Sequence, residues 1–564
     1  MTTLTIDIET NSAMNHIWCC GVHNVDSGAV TVETSPEALQ ALLGEASRVV
    51  TYNGIEFDIP RLEALWGISF EGVEILDALV LSRLYNPSLP GGHSLRAWGD
   101  RLGYEKGDFT DYDGGYCEEM AEYCKRDVEL TTKVWQEMEK QLRVEGFTQE
   151  CIDLEYRVAA ELALQRANGF MIDLPHANKL YSTLAHRMRE IEQELQAKFP
   201  PIITERWSEK TGKQLKDDVE VFNVGSRQQI VKRLQSVGVK FTDKTEAGQY
   251  KVDETVLGAM THPDAQLVAE YLIVQKRASQ VSSWLEAVQE DGRVHGRVVG
   301  SGAATGRMTH IAPNMAQVPS VRKVYEGMPH IDRIKAEYGA ACRECWTVPE
   351  GHKLVGVDAS GLELRMLAHY MKDEDYINTI LTGDIHSANQ KAAGLDTRDQ
   401  AKTFIYAFLY GAGDAKIAAI ANAKSASYGR QLKKMFLDNV PALKKLKETV
   451  EHLAEKNGSV PGLDGRRIRI RKAYSALNFL LQGAGAAVMK QALLNGVDSL
   501  RAAGIPFKIV ANVHDELQVE VPEHFAKAVG IHFRNAIRSA GDDLGVRCPM
   551  DAEYKIGDNW SQTH

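Results

Sequence analysis

The sequence of 564 residues lacks any apolar run long enough to span a membrane, which takes about 18–20 residues. It also lacks an N-terminal stretch with the features of a secretory signal. Its eight cysteines show no paired framework, which disfavours a disulfide-built secreted fold and favours reduced thiols. We therefore expect a cytoplasmic protein, and its length predicts several domains of about 100–200 residues each.

An excess of positive charge is missing as well. The chain has 65 Lys and Arg against 76 Asp and Glu, a net charge of −11, which argues against a generally basic nucleic-acid binder. A local basic groove stays compatible with this total, because particular Lys and Arg residues meet phosphates. Cys342 and Cys345 stand without a second pair at zinc spacing, so a zinc site is disfavoured and the sequence assigns them no function.

The most informative stretch is an acid on a predicted strand-to-helix turn. The apolar run 354–357 reads as a strand that ends at Asp358, and from Leu362 onward apolar residues recur at helical spacing. A carboxylate at such a turn can point into a cleft. Glu363 follows in the first helical turn, where Ser360 and Glu363 also have the spacing of a helix capping box.

A second acidic turn lies far downstream. Residues 507–521 alternate between apolar and other side chains around His514, Asp515 and Glu516, which predicts a β-hairpin with these residues at its turn. Two acidic turns on apolar strands suit a phosphoryl-transfer site with two metal ions roughly 3.5–4 Å apart.

These two stretches resemble motifs A and C of the family A (DNA polymerase I-like) DNA polymerases. The sequence Asp-Ala-Ser-Gly-Leu-Glu-Leu-Arg from Asp358 is most similar to the phage replicase branch, and the resemblance covers nearly the whole chain. It implies that Asp358 and Asp515 hold two Mg²⁺ ions, that Glu516 supports catalysis and that His514 contacts DNA.

Acids also recur in the first 145 residues. Leu4, Ile6 and Ile8 alternate with polar residues, so a strand puts Asp7 and Glu9 on one face. Two neighbouring carboxylates repel each other unless a cation lies between them. A long helix predicted over 115–139 places residues 123 and 127 on one face.

With Asp58, which follows Asn53-Gly54, these acids resemble the three motifs of the DEDDy class of 3′–5′ exonucleases. The resemblance implies that four acids hold two further divalent ions, Mg²⁺ or in its place Mn²⁺, and that Tyr123 orients the attacking water. The four acids are Asp7, Glu9, Asp58 and Asp127.

The predicted fingers helix, 397–411, carries one polar stripe. Residues 398, 402, 406 and 410 recur every four positions, cationic at the first two and aromatic at the last two. Cations at a helix N-terminus suit a triphosphate, and tyrosines suit a base and sugar. The expected nucleotide-binding residues are Arg398, Lys402 (also catalytic), Tyr406, Tyr410, His386 and Glu363. The bulk of Glu363 and its hydrogen bond to Tyr406 would exclude a ribose 2′-hydroxyl.

The expected DNA contacts lie in several motifs. The run Gly462–Lys472 predicts a strand with one cationic face toward the template backbone. Asn478 and Gln482, at i and i+4 on a helix, resemble the pair that reads the minor groove. The complete set of expected DNA-binding residues is Arg307, Asn478, Gln482, Arg227, Arg466, Arg467 and His514.

The predicted fold is a multidomain α/β and α+β protein. An RNase H-like exonuclease domain (1–145) precedes a right-hand polymerase domain (146–564). Within the latter, the thumb spans about 180–300, the palm about 301–365 and 471–564, and the fingers about 366–470.

The resemblance implies a proofreading DNA polymerase that acts on primer-template DNA and dNTPs, in phage replication and as a monomer in the bacterial host cytoplasm. A helicase-primase and a single-stranded DNA-binding protein are candidate partners. Residues 279–285 run almost directly into residue 292, which leaves no room for a thumb insertion that binds a processivity partner. Two alternatives stay open: a single-subunit RNA polymerase-like enzyme, and an exonuclease with a non-catalytic nucleic-acid-binding region.

Overall fold

The structure is a computed structural model that describes residues 2–245, 247–423 and 425–564. Within these residues, no helix combines the length and the apolar character needed to cross a membrane.

The first 145 residues form a mixed sheet with helices on both faces. In chain order its elements are β1 (Thr2–Thr10), β2 (Ile17–Asn24), β3 (Val30–Glu33), α1 (Pro36–Leu43), β4 (Ala46–Thr51), α2 (Asp58–Arg61), β5 (Glu74–Asp77), α3 (Ala78–Tyr85), α4 (Leu95–Leu102) and α5 (Glu118–Glu145). The strand order is β3-β2-β1-β4-β5, with β1 antiparallel to β2 and parallel to β4. Leu4, Ile6 and Ile8 pack with α1 on one face, so Asp7 and Glu9 project from the face that carries α5.

The next segment holds a connecting helix and the region predicted as the thumb. Its elements are α6 (Gln149–Asn168), β6 (Phe170–Ile172), α7 (Leu174–Lys198), β7 (Ile202–Trp207), β8 (Gln214–Glu220), α8 (Arg227–Ser236), α9 (Glu254–Gly258), α10 (Pro263–Ala287), β9 (Arg293–Val294), β10 (Arg297–Val299) and β11 (Thr309–Ile311). Helices α7 and α10 pack along each other. Their core includes Trp284, Trp346 and Trp560, which joins this region to the C-terminal sheet.

The remaining elements build an antiparallel sheet and the helices around it. They are α11 (His330–Glu344), β12 (Trp346–Thr347), β13 (His352–Ala359), α12 (Leu362–Met371), α13 (Glu374–Thr382), α14 (Ile385–Ala393), α15 (Arg398–Leu409), α16 (Asp414–Ile420), α17 (Ala426–Asn439), α18 (Pro441–Asn457), β14 (Ser459–Pro461), β15 (Arg467–Arg469), α19 (Ala476–Ala502), β16 (Lys508–Val513), β17 (Glu516–Pro522), α20 (Ala526–Asp543) and β18 (Ala552–Gly557). The sheet order is β16-β17-β13-β18. Helices α19 and α20 pack together, and α20 covers β13 and β18.

The strand-to-helix change at Asp358 and the hairpin around Asp515 are confirmed. Strand β13 gives way to α12 at Gly361, which takes a positive φ of 60° that glycine adopts without steric cost. Because Gly361 is the N-cap residue and makes no side-chain cap, the capping box expected from Ser360 and Glu363 is wrong. The helix expected over 115–139 begins later and runs longer, as α5, because Gly115 with φ 92° still belongs to the preceding turn.

Candidate active sites

The two acids of the predicted polymerase site meet at one end of the antiparallel sheet. Asp358 lies near the end of β13, opposite Glu516 of β17. Asp515 forms the tight turn between β16 and β17 with His514, and its carbonyl accepts a 3.0 Å hydrogen bond from the Ala359 N–H. This bond ties the turn to β13, so Asp358 and Asp515 line one cleft of about 500 Å³.

The electrostatics of this pair favour a cation. Burial, followed by the charge of Asp515, raises the pKa of Asp358 to about 7. Burial likewise raises the pKa of Asp515. Each carboxylate is costly to keep ionised without positive charge nearby, and carboxylate oxygens are the ligands that hard divalent ions prefer. The residues present therefore fit the expected metal ions.

Glu516 has a different setting from the two aspartates. It does not line the cleft. Its carboxylate accepts a hydrogen bond from the Trp560 indole, pairs with His564 Nδ1 at 2.7 Å and lies 3.4 Å from Arg343. Burial alone would raise the pKa of Glu516, but the hydrogen bond from His564 and the charge of Arg343 outweigh it and lower that pKa. Glu516 thus anchors the last residues of the chain to the sheet, and its catalytic role stays a prediction.

Glu363 lines the same cleft, but its partner differs from the expected one. Its Oε1 accepts hydrogen bonds from the Tyr410 hydroxyl and from Arg307 Nη2, the latter at 2.9 Å. The expected bond to Tyr406 is absent among the described hydrogen bonds, although Tyr406 also lines the cleft. Tyr410 lies one turn beyond Tyr406, at the C-cap of α15, and it is this hydroxyl that reaches Glu363.

The fingers helix has the expected start and stripe. Thr397 and Gln400 form a capping box at the start of α15. The Arg398 guanidinium pairs with Asp384 at 2.6 Å, and the charge of Arg398 follows burial in lowering the pKa of His386. The structure brings the two tyrosines to the cleft, but Arg398, Lys402 and His386 are not among the residues that line it.

The other residues predicted to contact DNA lie in three different places. Arg307 and His514 line the cleft. Asn478 accepts a 2.7 Å hydrogen bond from Gln482 one turn along α19, so the pair shares a face as expected. Arg227 is exposed at the start of α8, directly after the N-cap residue Ser226.

The prediction that Arg466 contacts DNA is wrong. The sequence pattern predicted a cationic strand face toward DNA, but the Arg466 side chain is 4% exposed. Its guanidinium lies 2.6 Å from both Glu155 and Asp464. Lys490 also pairs with Glu155, so the network balances two acids against two bases. A buried, fully paired arginine cannot reach a template phosphate.

Arg467 is directed to the N-terminal domain. Its Nε donates a 3.0 Å hydrogen bond to the Glu145 carbonyl, and Arg469 pairs with the Glu145 carboxylate at 2.7 Å. The basic strand β15 therefore attaches the end of α5 to the C-terminal region, which is a role that a charge pattern alone does not distinguish from DNA binding.

The predicted nuclease acids come from three elements of the N-terminal domain. Asp7 and Glu9 lie on β1, Asp58 begins α2 and Asp127 lies on α5. Asp58 Oδ1 accepts a 3.0 Å hydrogen bond from the Ile8 N–H, which joins α2 to β1 between the first two acids. Carboxylate oxygens of Asp7 and Glu9 lie within 4.8 Å of each other. The structure thus brings all four acids to one side of the sheet.

This acid cluster is poorly neutralised. Burial and the neighbouring carboxylates raise the pKa of Asp7 and raise that of Glu9 to about 8. Burial raises the pKa of Asp58 to about 7. Asp127 has a buried Oδ1 with no hydrogen-bond partner among the described residues. An unpartnered carboxylate oxygen among like charges fits a divalent cation. Burial and the charge of Asp127 also raise the pKa of Tyr123, which keeps its hydroxyl a neutral donor.

Three residues of these sites escaped the sequence-based prediction. Lys106 pairs with Asp127 from a loop, His564 pairs with Glu516, and the buried Lys490 lines the polymerase cleft. A lone lysine in a polar loop carries no spacing signal. For His564 the sequence offered one signal. Trp560, a large apolar residue four positions earlier, indicates that the last residues of the chain pack against the protein.

Comparison with known proteins agrees with this geometry. Residues 186–562 match the family model "DNA polymerase family A", and residues 4–90 match the RNase H superfamily. A solved structure described as the POL domain of Pol1 from M. smegmatis, in complex with DNA primer-template and dNTP, aligns with a TM-score of 0.81 at 21% identity. It covers 99% of this chain and 96% of that one. This likeness confirms the predicted fold.

Two curated relatives align with this chain over nearly their whole length. A DNA-directed DNA polymerase of Escherichia phage T7 is 33% identical over 99% of both chains. One of Enterobacteria phage T3 is 33% identical over 100% of both. DNA polymerase I of Pseudomonas aeruginosa is 24% identical over 93% of this chain and 55% of its own length. From the family match and the T7 and T3 identities, the chain belongs to DNA polymerase family A, with an RNase H-like domain at its N-terminal end.

Proposed function

We propose that this DNA polymerase extends a primer 3′ end with dNTPs as a DNA template directs, and removes mispaired nucleotides with its 3′–5′ exonuclease. The observation that carries the proposal is the occurrence of two acid clusters on two different sheets, Asp358 with Asp515 and Asp7 with Glu9. The phage relatives are DNA-directed DNA polymerases, and the mycobacterial neighbour was solved with primer-template and dNTP.

In polymerisation, the primer 3′ oxygen attacks the α-phosphorus of the dNTP, and the bond from that phosphorus to the pyrophosphate oxygen breaks. Asp358 and Asp515 hold two Mg²⁺, which when bound supply charge neutralisation for the attacking and leaving oxygens. Arg398 and Lys402, from the N-terminal half of α15, and His386, from the start of α14, neutralise the triphosphate. To bind the triphosphate, Arg398 must break its ion pair with Asp384.

Glu363 selects the sugar in this proposal. Held by Arg307 and Tyr410, its carboxylate has a fixed position at the mouth of the cleft beside Tyr406. A ribose 2′-hydroxyl directed at this group meets its bulk, and the deoxyribose does not. This residue therefore argues against the alternative of an RNA polymerase.

The duplex lies across the residues that surround the cleft. Arg307 and His514 contact the primer terminus and its template partner, since both line the cleft beside Asp515. Asn478 and Gln482 read minor-groove acceptors that all correct base pairs share. Arg227 contacts a phosphate from the start of α8.

In proofreading, a water molecule attacks the phosphorus of the terminal phosphodiester, and the bond from that phosphorus to the 3′ oxygen of the preceding nucleotide breaks. The terminal nucleotide leaves as its 5′-monophosphate, and the shortened strand keeps a 3′-hydroxyl. Asp7, Glu9, Asp58 and Asp127 hold two divalent ions, Mg²⁺ or Mn²⁺, that when bound lower the pKa of the attacking water. Tyr123 keeps its proton and orients that water by a hydrogen bond.

The length of the predicted thumb bears on which partners this chain has beyond DNA and dNTPs. The alignment with the T7 relative extends over 706 residues, more than the 564 of this chain, so that relative contains segments with no counterpart here. Helix α10 and β9 are joined by residues 288–292 alone. We therefore propose a monomer without a thumb insertion for a processivity partner, which works with a helicase-primase and a single-stranded DNA-binding protein in phage replication.

A primer-extension assay tests the proposal. The full chain, a defined primer-template, Mg²⁺ and either dNTPs or rNTPs should give full-length product with dNTPs only. A primer with a mismatched 3′ end and no nucleotides should be shortened. Extension with rNTPs as efficient as with dNTPs would contradict the DNA polymerase assignment, and an unshortened primer would contradict proofreading.

A further inference from the structure

Lys106 is a cation at the centre of the nuclease acids. It belongs to the loop between α4 and α5, and its Nζ pairs with Asp127 Oδ2. The same ammonium lies 4.8 Å from the centroid of the Tyr123 ring. The Lys106 side chain is 16% exposed and that of Asp127 5%, so the pair is largely shielded from solvent. Lys106 thus lies beside both a metal-ligand candidate and the residue proposed to orient water.

The local charge balance makes Lys106 more than a surface lysine. Four carboxylates surround the site, and the positive charge of Lys106 opposes the mutual repulsion of Asp7 and Glu9. One oxygen of Asp127 is paired with this ammonium, whereas the other is buried without a partner among the described residues. A divalent ion can take the unpartnered oxygen directly, but it can take the paired oxygen only when Lys106 withdraws from it.

Lys106 can withdraw because of its chemistry and its location. A lysine carries a compact charge on a flexible four-carbon stem. Lys106 extends from a loop rather than from a helix or strand, so a short movement does not disrupt a backbone ladder. The water that Tyr123 orients must lie next to the scissile phosphorus, and Lys106 lies against the Tyr123 ring. An ammonium released from Asp127 is therefore within reach of a non-bridging oxygen of that phosphate.

We propose that Lys106 is a catalytic residue of the exonuclease: it occupies Asp127 in the metal-free protein, yields it to a divalent ion, and then contacts the scissile phosphate. The inference rests on the proposed exonuclease function. It assigns Lys106 two effects of opposite sign. The lysine opposes metal binding, and it accelerates hydrolysis because it neutralises charge that develops on the phosphate.

The test compares Lys106→Met, Lys106→Gln and Lys106→Arg in the full chain. Asp358→Ala and Asp515→Ala are included in every protein, so that only the nuclease site is titrated. Mn²⁺ binding is measured by isothermal titration calorimetry without DNA, and hydrolysis of a single-stranded oligonucleotide is measured in single turnover at saturating Mn²⁺. Lys125→Ala is the matched control, because Lys125 lies on α5 near the site but pairs with Glu122 at the surface.

For Lys106→Met and Lys106→Gln we expect Mn²⁺ to bind several-fold more tightly and hydrolysis to slow about 100-fold, the size of effect seen when one charge-stabilising donor is lost. Lys106→Arg should bind Mn²⁺ like the parent protein and recover part of the rate. Weaker Mn²⁺ binding together with slower hydrolysis would overturn the proposal, because that pattern marks a purely structural counter-ion. An unchanged rate in both neutral variants would overturn it too.

A failure of the proposed exonuclease function would give a different result in these assays. If the parent protein hydrolyses no oligonucleotide with Mg²⁺ or Mn²⁺ yet extends primers when Asp358 and Asp515 are intact, the exonuclease assignment fails before any variant is compared. Thermal melting of each variant beside Lys125→Ala separates a folding defect from a catalytic one. Lys106→Arg keeps the charge, and its recovered rate shows that loss of charge, rather than disruption of the loop, causes the defect.

Discussion

The two candidate sites of this chain use the same ligand type in opposite settings. In the nuclease site Glu9, Asp58 and Asp127 are buried, and Lys106 partly neutralises them. In the polymerase site Asp358 is exposed at the edge of an open cleft of about 500 Å³, and Arg307, which lines the same cleft, pairs with Glu363. The enclosed site suits the end of a single strand, whereas the open one has room for a nucleotide and a base pair.

The difference shows how much each site depends on its substrate. The nuclease acids are fixed by β1, α2 and α5, and a hydrogen bond from Ile8 to Asp58 joins two of these elements. The polymerase acids share one sheet, but the residues proposed to neutralise a triphosphate lie on α14 and α15 and do not line the cleft. In the proposed mechanism a nucleotide therefore draws α14 and α15 toward this sheet, which the nuclease substrate need not do.

The largest expected effect separates the two sites completely. Asp7→Ala with Glu9→Ala should reduce 3′ degradation by about 10³-fold or more, because metal ligands that stabilise the transition state are lost. Primer extension should stay within about twofold of the parent rate. Asp515→Ala should do the reverse. Both activities are measured on the same 3′-labelled and 5′-labelled duplexes.

The matched control for this experiment is Glu119→Ala, an exposed acid on α5, which should leave both activities unchanged. If the Asp7 and Glu9 double variant remained folded but lost primer extension as well, the two sites would not be independent and the comparison would fail.

The next effect concerns the open cleft and the sugar it accepts. Tyr406 lines this cleft, and its hydroxyl makes no hydrogen bond to another described residue, so it is free to meet a nucleotide. By the family resemblance, a tyrosine here supplies the group that a dideoxynucleotide lacks. One hydrogen bond to a charged group is worth roughly 1.5–3 kcal/mol, or about 10- to 100-fold in rate.

We therefore expect the parent enzyme to use dideoxynucleotides almost as readily as dNTPs, and Tyr406→Phe to reject them by about 10- to 100-fold. Single-nucleotide incorporation kinetics with the exonuclease inactivated measure this ratio. Tyr428→Phe, at an exposed tyrosine of the fingers, is the control. Equal discrimination in the parent and Tyr406→Phe would remove α15 from the nucleotide site.

A smaller effect is expected at Glu363. Glu363→Ala removes both the pair with Arg307 and the bond from Tyr410, and should raise the use of rNTPs relative to dNTPs by about tenfold. Because α12 has no side-chain cap, the loss of a capping box cannot explain such a change. The rNTP to dNTP ratio is measured beside Glu374→Ala, an exposed acid in the next helix. A lower melting temperature with an unchanged ratio would show that Glu363 serves stability alone.

Much of this architecture could be predicted from local patterns. The change from strand to helix period around Asp358, the alternation around Asp515 and the capping box of α15 each depend on neighbouring residues only. What failed depended on distant partners. Arg466 is buried because Glu155, 311 positions away, pairs with it, and no alternation in the run Gly462–Lys472 carries that information. The prediction that Tyr406 is the hydrogen-bond partner of Glu363 failed for the same reason.

The last prediction compares the two sites by stability, and its effect is the smallest. In the metal-free protein the pKa of Glu9 is raised from 4.5 to about 8, and those of Asp58 and Asp358 are raised from 3.8 to about 7. Between these values the folded state holds protons that the unfolded state has released. Stability is therefore highest below about pH 4 to 5 with respect to these groups, and is lost as pH rises toward 8.

In EDTA, we expect the melting temperature to fall by several degrees between pH 5.5 and pH 8, and Mg²⁺ to restore more of it at pH 8 than at pH 5.5. Glu9→Gln should flatten the metal-free profile more than Asp358→Asn, because Glu9 is buried whereas Asp358 is exposed, so that water screens the charge of Asp358 more. Calorimetric melting at the two pH values measures this. A parent profile that rises toward pH 8 in EDTA would contradict the charge repulsion assigned to both sites, and equal flattening by the two variants would contradict the difference between an enclosed and an open site.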